Sequence, residues 1–394
     1  MNQLICQTGV NSLDIYPTFC KTIPLIWDET LQGKLIYHEN YPFFKEFLDC
    51  LPFENGFIQS AILINLPSGK SIPSHIDSKP FFKKYYVPFI TNDDCLFTIG
   101  NETKHLKEGE IIFVDNEISC CVMNKGETDC IHLLIDFFSE PKLLVSTHNR
   151  LMWSDNTVIH MNNGVYYGIF DGDNSTVWVV SVNKTECLLQ IDLNETTVLN
   201  TKVIPSRFTH DCIRHDDKVY IADCGNGNVI VLNYFSMEIH KVHKIFTVRN
   251  HINTLLYHEN KLWCLLHNFG KSQLVGIDPE TGKRLKIYNN VGMGSHGIVP
   301  WKHGFLILSS LEGKLLYVTD ESTIILFTDS GRFLKGLCLY SNYIYFGSAP
   351  PMQRMNRSDL SIMCELVCVN LNTCQLVYRR ELKTCGLLNS IALI

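Results

Sequence analysis

Apolar positions in this chain almost never recur at helical spacing. The one stretch that does is residues 42–51, where Phe43, Phe44, Phe47, Leu48 and Leu51 share a face and Pro52 stops the pattern. From Gly56 onward the chain reads as short runs rich in Val, Ile, Tyr and Phe, broken by Gly, Asn and Asp turns. The pattern predicts a mostly β protein with a single early helix.

The texture changes near residues 139–142. Before it, the predicted strands are unevenly spaced. After it, a unit repeats: a strand, a polar turn, an aromatic-rich strand, a Gly/Asn turn, then a strand ending in Asp or Asn. The marks His210, His251, His296 and Gly336 stand 41, 45 and 40 residues apart. A four-stranded propeller blade takes about 40–50 residues, so residues 143–394 predict five or six blades. The last ten residues, from Cys385, make only the first strand of a blade. This predicts a ring closed by that strand joining residues from about 143 onward, which protects otherwise open edges. The expected domains are therefore residues 1–142 and 143–394.

Composition narrows the function classes. The chain has 394 residues, 45% apolar and 19% charged, with a net charge of −6. Its basic residues do not cluster, so no nucleic-acid partner is expected. No run reaches the roughly 18–20 apolar residues that span a bilayer, so no membrane partner is expected either. No basic segment followed by an apolar one opens the chain, and a cytoplasmic location is expected. The sixteen cysteines then read as buried hydrophobes rather than a disulfide framework.

Residues 57–138 carry the sharper chemical signal. Their blocks are 57–77, ending His75-Ile76-Asp77; 84–92, beginning Lys84-Tyr85-Tyr86-Val87-Pro88; then 106–110, 114–116, 122–126 and 131–136. In order and spacing these resemble the aspartyl/asparaginyl β-hydroxylases, cupin-fold (double-stranded β-helix, or jelly-roll) oxygenases that use Fe(II) and 2-oxoglutarate. The resemblance implies iron held by a facial set of two His and one carboxylate. His75 and Asp77 match its first half, and alternation along a strand turns positions i and i+2 to one face. Cys120 stands where the family has its distal His, and Cys130 where an Arg clamps the 2-oxoglutarate carboxylate. Lys84 replaces a second Arg, and Tyr86 the His after it. The implied metal set is His75, Asp77 and Cys120; the implied cofactor-binding set is Lys84, Cys130 and His132, with His105 or His132 as substitute metal ligands. A thiolate can bind iron, but a thiol cannot replace the bidentate fork of Arg.

The second half resembles six-bladed propellers of the NHL and gluconolactonase type, which place metal or ligand sites at the channel. The first strand of a blade lines that channel, so His210, His251 and His296 are expected near one mouth of it. They would either bind a metal or small anion, or make a repeated structural hydrogen bond.

Three functions stay open at this point. The chain is an Fe(II)/2-oxoglutarate dioxygenase acting on an amino-acid or peptide side chain presented by the propeller. Or it is an inactive cupin with a propeller that binds a protein or small ligand. Or it is a metal-dependent hydrolase centred on the propeller channel.

Overall fold

The computed structural model describes residues 20–28, 35–37, 46–48, 51, 56–76, 82–114, 118–161, 164–351, 359–383 and 385–394. The chain divides into two compact units, Met1–Pro141 and Lys142–Ile394. Of the helix expected over residues 42–51, only 46–48 and 51 are described, and 46–48 are helical. Asp77 lies outside the described residues. Among the described residues no helix is long and apolar enough to cross a membrane.

The first unit is built from β1 (Lys21–Asp28), β2 (Leu35–Tyr37), β3 (Gly56–Leu66), β4 (Ser71–His75), β5 (Phe82–Ile90), β6 (Cys95–Ile99), β7 (Glu102–His105), β8 (Ile112–Val114), β9 (Cys120–Asn124) and β10 (Cys130–Ser139). One sheet runs β2-β1-β3-β10-β5-β8 and the other β4-β9-β6-β7. All their pairings are antiparallel. Alternation sends Ile62, Ile64 and Leu66 of β3 and Tyr86 of β5 inward, where they meet Ile72, Phe97 and Val122 of the second sheet in one core. The register fixes two ends. His75 pairs with Cys120 at one end, and β9 finishes at the other, where Asn124 pairs with Cys95.

The second unit holds six four-stranded antiparallel sheets among its described residues. Five are formed by consecutive strands. The sixth joins the C-terminal strand Leu388–Leu393 to strands Leu143–Thr147, Arg150–Trp153 and Val158–Met161. The expected closure is thus present, and the blade count resolves to six. The first strands of the sheets touch in succession: Val165–Asp171, Thr209–His215, Ile252–His258, His296–Trp301, Phe333–Tyr340, Leu388–Leu393, and back to the first. The result is a closed, propeller-like ring.

Burial explains why the second strands read as unbroken apolar runs. Each is covered on both faces by neighbouring sheets, as in Gly304–Ser309 and Tyr343–Ala349, which are buried throughout. Outermost strands such as Val198–Val203 are exposed almost throughout and stay polar-tolerant. Aromatic side chains fill the wedges between sheets; Trp263 lies 4.7 Å from Phe305 and 5.8 Å from Tyr288, ring centre to ring centre.

Candidate functional site

In the first unit, His75 and Cys120 face each other across β4 and β9, with Cys120 Sγ 3.8 Å from His75 Nε2. The other ring nitrogen, Nδ1, lies 2.9 Å from Pro73 O. A carbonyl can only accept, so Nδ1 carries the proton and the Nε2 lone pair points at the sulfur. That is the tautomer a metal ligand needs, fixed by its outer hydrogen bond. Ser74 and Ser119, one residue back on each side, are hydrogen-bonded through their hydroxyls and pin the register. The spacing suits two donors on one ion, since a tetrahedral ion sets sulfur and nitrogen about 3.5 Å apart.

The cofactor-binding set is arranged differently. Cys130 begins β10 in the other sheet, beside the Asn124 end of β9, which is four residues or about 13 Å of strand from Cys120. There it meets Cys95 and His132, and the three donor atoms lie within 4.8 Å of one another. All three residues are almost fully buried. His132 Nε2 lies 3.7 Å from Cys95 Sγ, and the Asn92 amide donates to Cys130 Sγ at 3.3 Å. Burial lowers the His132 pKa to about 4, so the ring is neutral. Burial, reinforced by Cys130, pushes the Cys95 thiol up to about 12. A neutral imidazole beside a protonated thiol, with no exposed edge, is core chemistry. A cysteine side chain also lacks both the charge and the reach of the Arg that the family resemblance expects there.

Lys84 is 5% exposed and points inward from β5. Its ammonium lies 3.9 Å from Asp136, whose other oxygen accepts from Ser60 at 3.0 Å. The positive charge is therefore compensated inside the chain. His105 is also committed: Nδ1 binds Cys95 O at 3.3 Å and Nε2 faces Asp93 at 4.0 Å.

In the second unit, one backbone device recurs. Every first strand carries a β-bulge at the same level: at Tyr167 and Gly168, His210 and Asp211, Asn253, Gly297, Gly336, and Asn389. A bulge re-aims the extra side chain relative to the strand alternation. Gly336 sits at φ +70°, and a Cβ there would fall 2.3 Å from Leu388, so only glycine fits.

The ring of bulges gathers aromatic and imidazole side chains. His210 packs against Tyr167 at 4.9 Å and His251 at 4.8 Å between ring centres. His251 then reaches His267 at 5.4 Å, and His267 reaches His296 at 5.4 Å. Of the three expected histidines, His210 and His251 meet directly, whereas His296 is joined only through His267. His296 instead binds the Ser310 hydroxyl at 2.8 Å. The residue that completes a donor set with His210 and His251 is Cys224, whose sulfur lies 2.7 Å from His251 Nδ1; these three sets of donors lie within 4.8 Å of one another. Cys224, His267 and Ser310 each follow the end of a second strand, in three successive sheets. Aligning the repeats at that position, as well as at the first strand, finds them.

Below the imidazoles the channel wall is polar. Lys335 donates to Asn389 at 2.7 Å and lies 5.1 Å over the Tyr167 ring. Asn389 donates to Tyr166 O, and Asn253 to Ser295 O, each at 2.8 Å. Burial pushes the Asp211 carboxyl up to about 7, held back by hydrogen bonds from the Leu255 and Cys212 amides and by the Lys335 charge. At the other ends of these strands lies a cavity of about 570 Å³ lined by Asp171, Arg214 and His215.

Residues 25–140 match the family model of the aspartyl/asparaginyl beta-hydroxylases. No curated protein matches the chain as a significant relative. Among solved structures, a chain of a nidogen/laminin complex is similar with a TM-score of 0.51 at 8% identity, covering 64% of this chain and 97% of that one. A protein of unknown function from Bacteroides caccae is similar with a TM-score of 0.50 at 14% identity, covering 64% and 98%. At these identities the likeness concerns fold alone. The hydroxylase match, which stops at residue 140, is what identifies the first unit as hydroxylase-like.

Proposed function

We propose that the first unit is a hydroxylase-type barrel that holds a metal ion through His75 and Cys120 without binding 2-oxoglutarate, and that the second unit recognises an amino-acid, peptide or protein ligand. The family match over residues 25–140 supports the barrel reading. So does the path of the chain, in which β3, β5, β8 and β10 lie in one sheet and β4, β6, β7 and β9 in the other, the crossing pattern of a double-stranded β-helix. Iron(II) is the ion the match implies, with Asp77 the third ligand by sequence. An ion there would supply Lewis-acid or redox chemistry.

The observation that carries the functional reading is the setting of Cys130. The co-substrate is a dicarboxylate and needs a cationic fork at its far end. Cys130 is packed against Cys95 and His132, and Lys84 is compensated by Asp136. These residues do not fit 2-oxoglutarate.

The test is turnover. The purified chain is incubated with Fe(II), ascorbate and 2-oxoglutarate, with candidate peptides present or absent, and succinate is measured. Succinate at the no-enzyme background is expected, together with bound Fe(II) that falls by one equivalent per chain in His75→Ala. Succinate release above background that His75→Ala abolishes would overturn the reading and establish an oxygenase, the function that the family match taken alone favours.

A further inference from the structure

We propose that His210, Cys224 and His251 form a site for a thiophilic divalent metal ion, of which Zn²⁺ is the representative, at one mouth of the channel in the second unit. This goes beyond the barrel reading and does not depend on it.

The three residues come from two neighbouring sheets. His210 occupies the bulge of the first strand Thr209–His215. Cys224 follows the second strand of the same sheet, Lys218–Asp223, and His251 immediately precedes the first strand of the next, Ile252–His258. Packing of one sheet directly against the next brings them together. Their donor atoms, two imidazole nitrogens and one sulfur, lie within 4.8 Å of one another. A tetrahedral ion places such donors about 3.3–3.6 Å apart, so side-chain rotations of about an ångström complete the set.

Three further observations point the same way. First, His251 has φ +51°, in the left-handed region that a non-glycine residue rarely adopts. That backbone holds the ring where its Nδ1 faces the Cys224 sulfur. Second, the bulge that carries His210 is the device that re-aims a side chain off the strand alternation. Third, the donors are screened from solvent: both His210 ring nitrogens are buried although the residue as a whole is not, and Cys224 and His251 are 1% and 8% exposed. Phe208 and Phe269 flank it and are more than half exposed, with Phe269 4.8 Å from the His251 ring. Three protein donors leave the fourth position of a tetrahedral ion for water or a ligand atom. Two imidazoles with one thiolate select a borderline or soft ion over Mg²⁺ or Ca²⁺. On binding, the Cys224 thiol gives its proton to solvent as the metal–sulfur bond forms.

The experiment uses the full chain carrying His75→Ala and Cys120→Ser, which silences the barrel pair and keeps the two claims separable. Co²⁺ is titrated as the spectroscopic stand-in, followed by Zn²⁺. The expected result is saturation at one Co²⁺ per chain, with near-ultraviolet thiolate-to-cobalt absorption that Zn²⁺ abolishes. Cys224→Ser should lose that absorption while far-ultraviolet circular dichroism is unchanged. Should Cys224→Ser fail to fold, His210→Ala, at a partly exposed position, decides: it should weaken Co²⁺ binding at least about tenfold. Absence of one-to-one binding in the parent, thiolate absorption that persists in Cys224→Ser, or unaltered affinity in His210→Ala would each overturn the site.

Discussion

Each unit contains a cluster of cysteine and histidine with donor atoms within 4.8 Å, yet the two differ in kind. Cys95, Cys130 and His132 are sealed in the core of the first unit, at 3%, 0% and 2% exposure. His210, Cys224 and His251 meet where two sheets of the ring adjoin; their donor atoms are buried too, but the exposed rings of Phe208 and Phe269 lie beside them. Proximity of ligand-type side chains is therefore a poor guide by itself. Burial without access turns thiols and imidazoles into apolar filler, and their pKa values move away from the charged forms. A site needs donors that can exchange a proton and admit an ion.

The comparison can be broken at several points. The largest effect is expected in the wedge between sheets of the second unit. Trp263 is 2% exposed and packed on Tyr288 and Phe305. Trp263→Ala should cost about 3–5 kcal/mol of stability, measured by denaturant unfolding with hydrogen exchange reporting on residues 252–318. A loss under about 1 kcal/mol would mean the wedges do not hold the ring. The bulges come next. Gly336→Ala meets both a left-handed φ and the Leu388 side chain, and a loss of about 1–3 kcal/mol is expected by the same assay. Tolerance of alanine there would remove the argument that the bulges are fixed.

The gentlest effect is a pH slope. The folded pKa of His132 is lowered to about 4 against an ordinary value near 6.5. The unfolded chain then binds the proton more readily than the folded one. The contribution is present above about pH 6.5 and is lost as pH falls toward 4. Histidine ring NMR should find His132 neutral down to about pH 4, and His132→Asn should flatten the stability loss across that window. An ordinary titration near pH 6.5 would show that the barrel cluster is open, and the contrast with the propeller would fail.

The same contrast explains what could be read from the chain before folding. The repeat marks were legible because His210, His251, His296 and Gly336 fall within two residues of the first-strand bulges, one per sheet. Closure was legible because residues 385–394 lack partners of their own. Two things were not. Cys224 and His267 lie at the ends of second strands, and only ring geometry carries them to the first strands of the next sheet. The fate of Cys130 was hidden too. Its place in the motif is shared with an arginine, and the family pattern says nothing of the Cys95 and His132 that enclose a shorter side chain. Motif spacing locates a position; the neighbours that decide its chemistry come from other strands.

The central claim is that the barrel holds a metal but has no seat for 2-oxoglutarate. The most direct measurement is an anaerobic Fe(II) titration followed by visible absorption, repeated with saturating 2-oxoglutarate. The account predicts Fe(II) binding that loses one equivalent per chain in His75→Ala, with the spectrum unchanged by 2-oxoglutarate. A new visible charge-transfer band that grows with added 2-oxoglutarate and disappears in His75→Ala would contradict it.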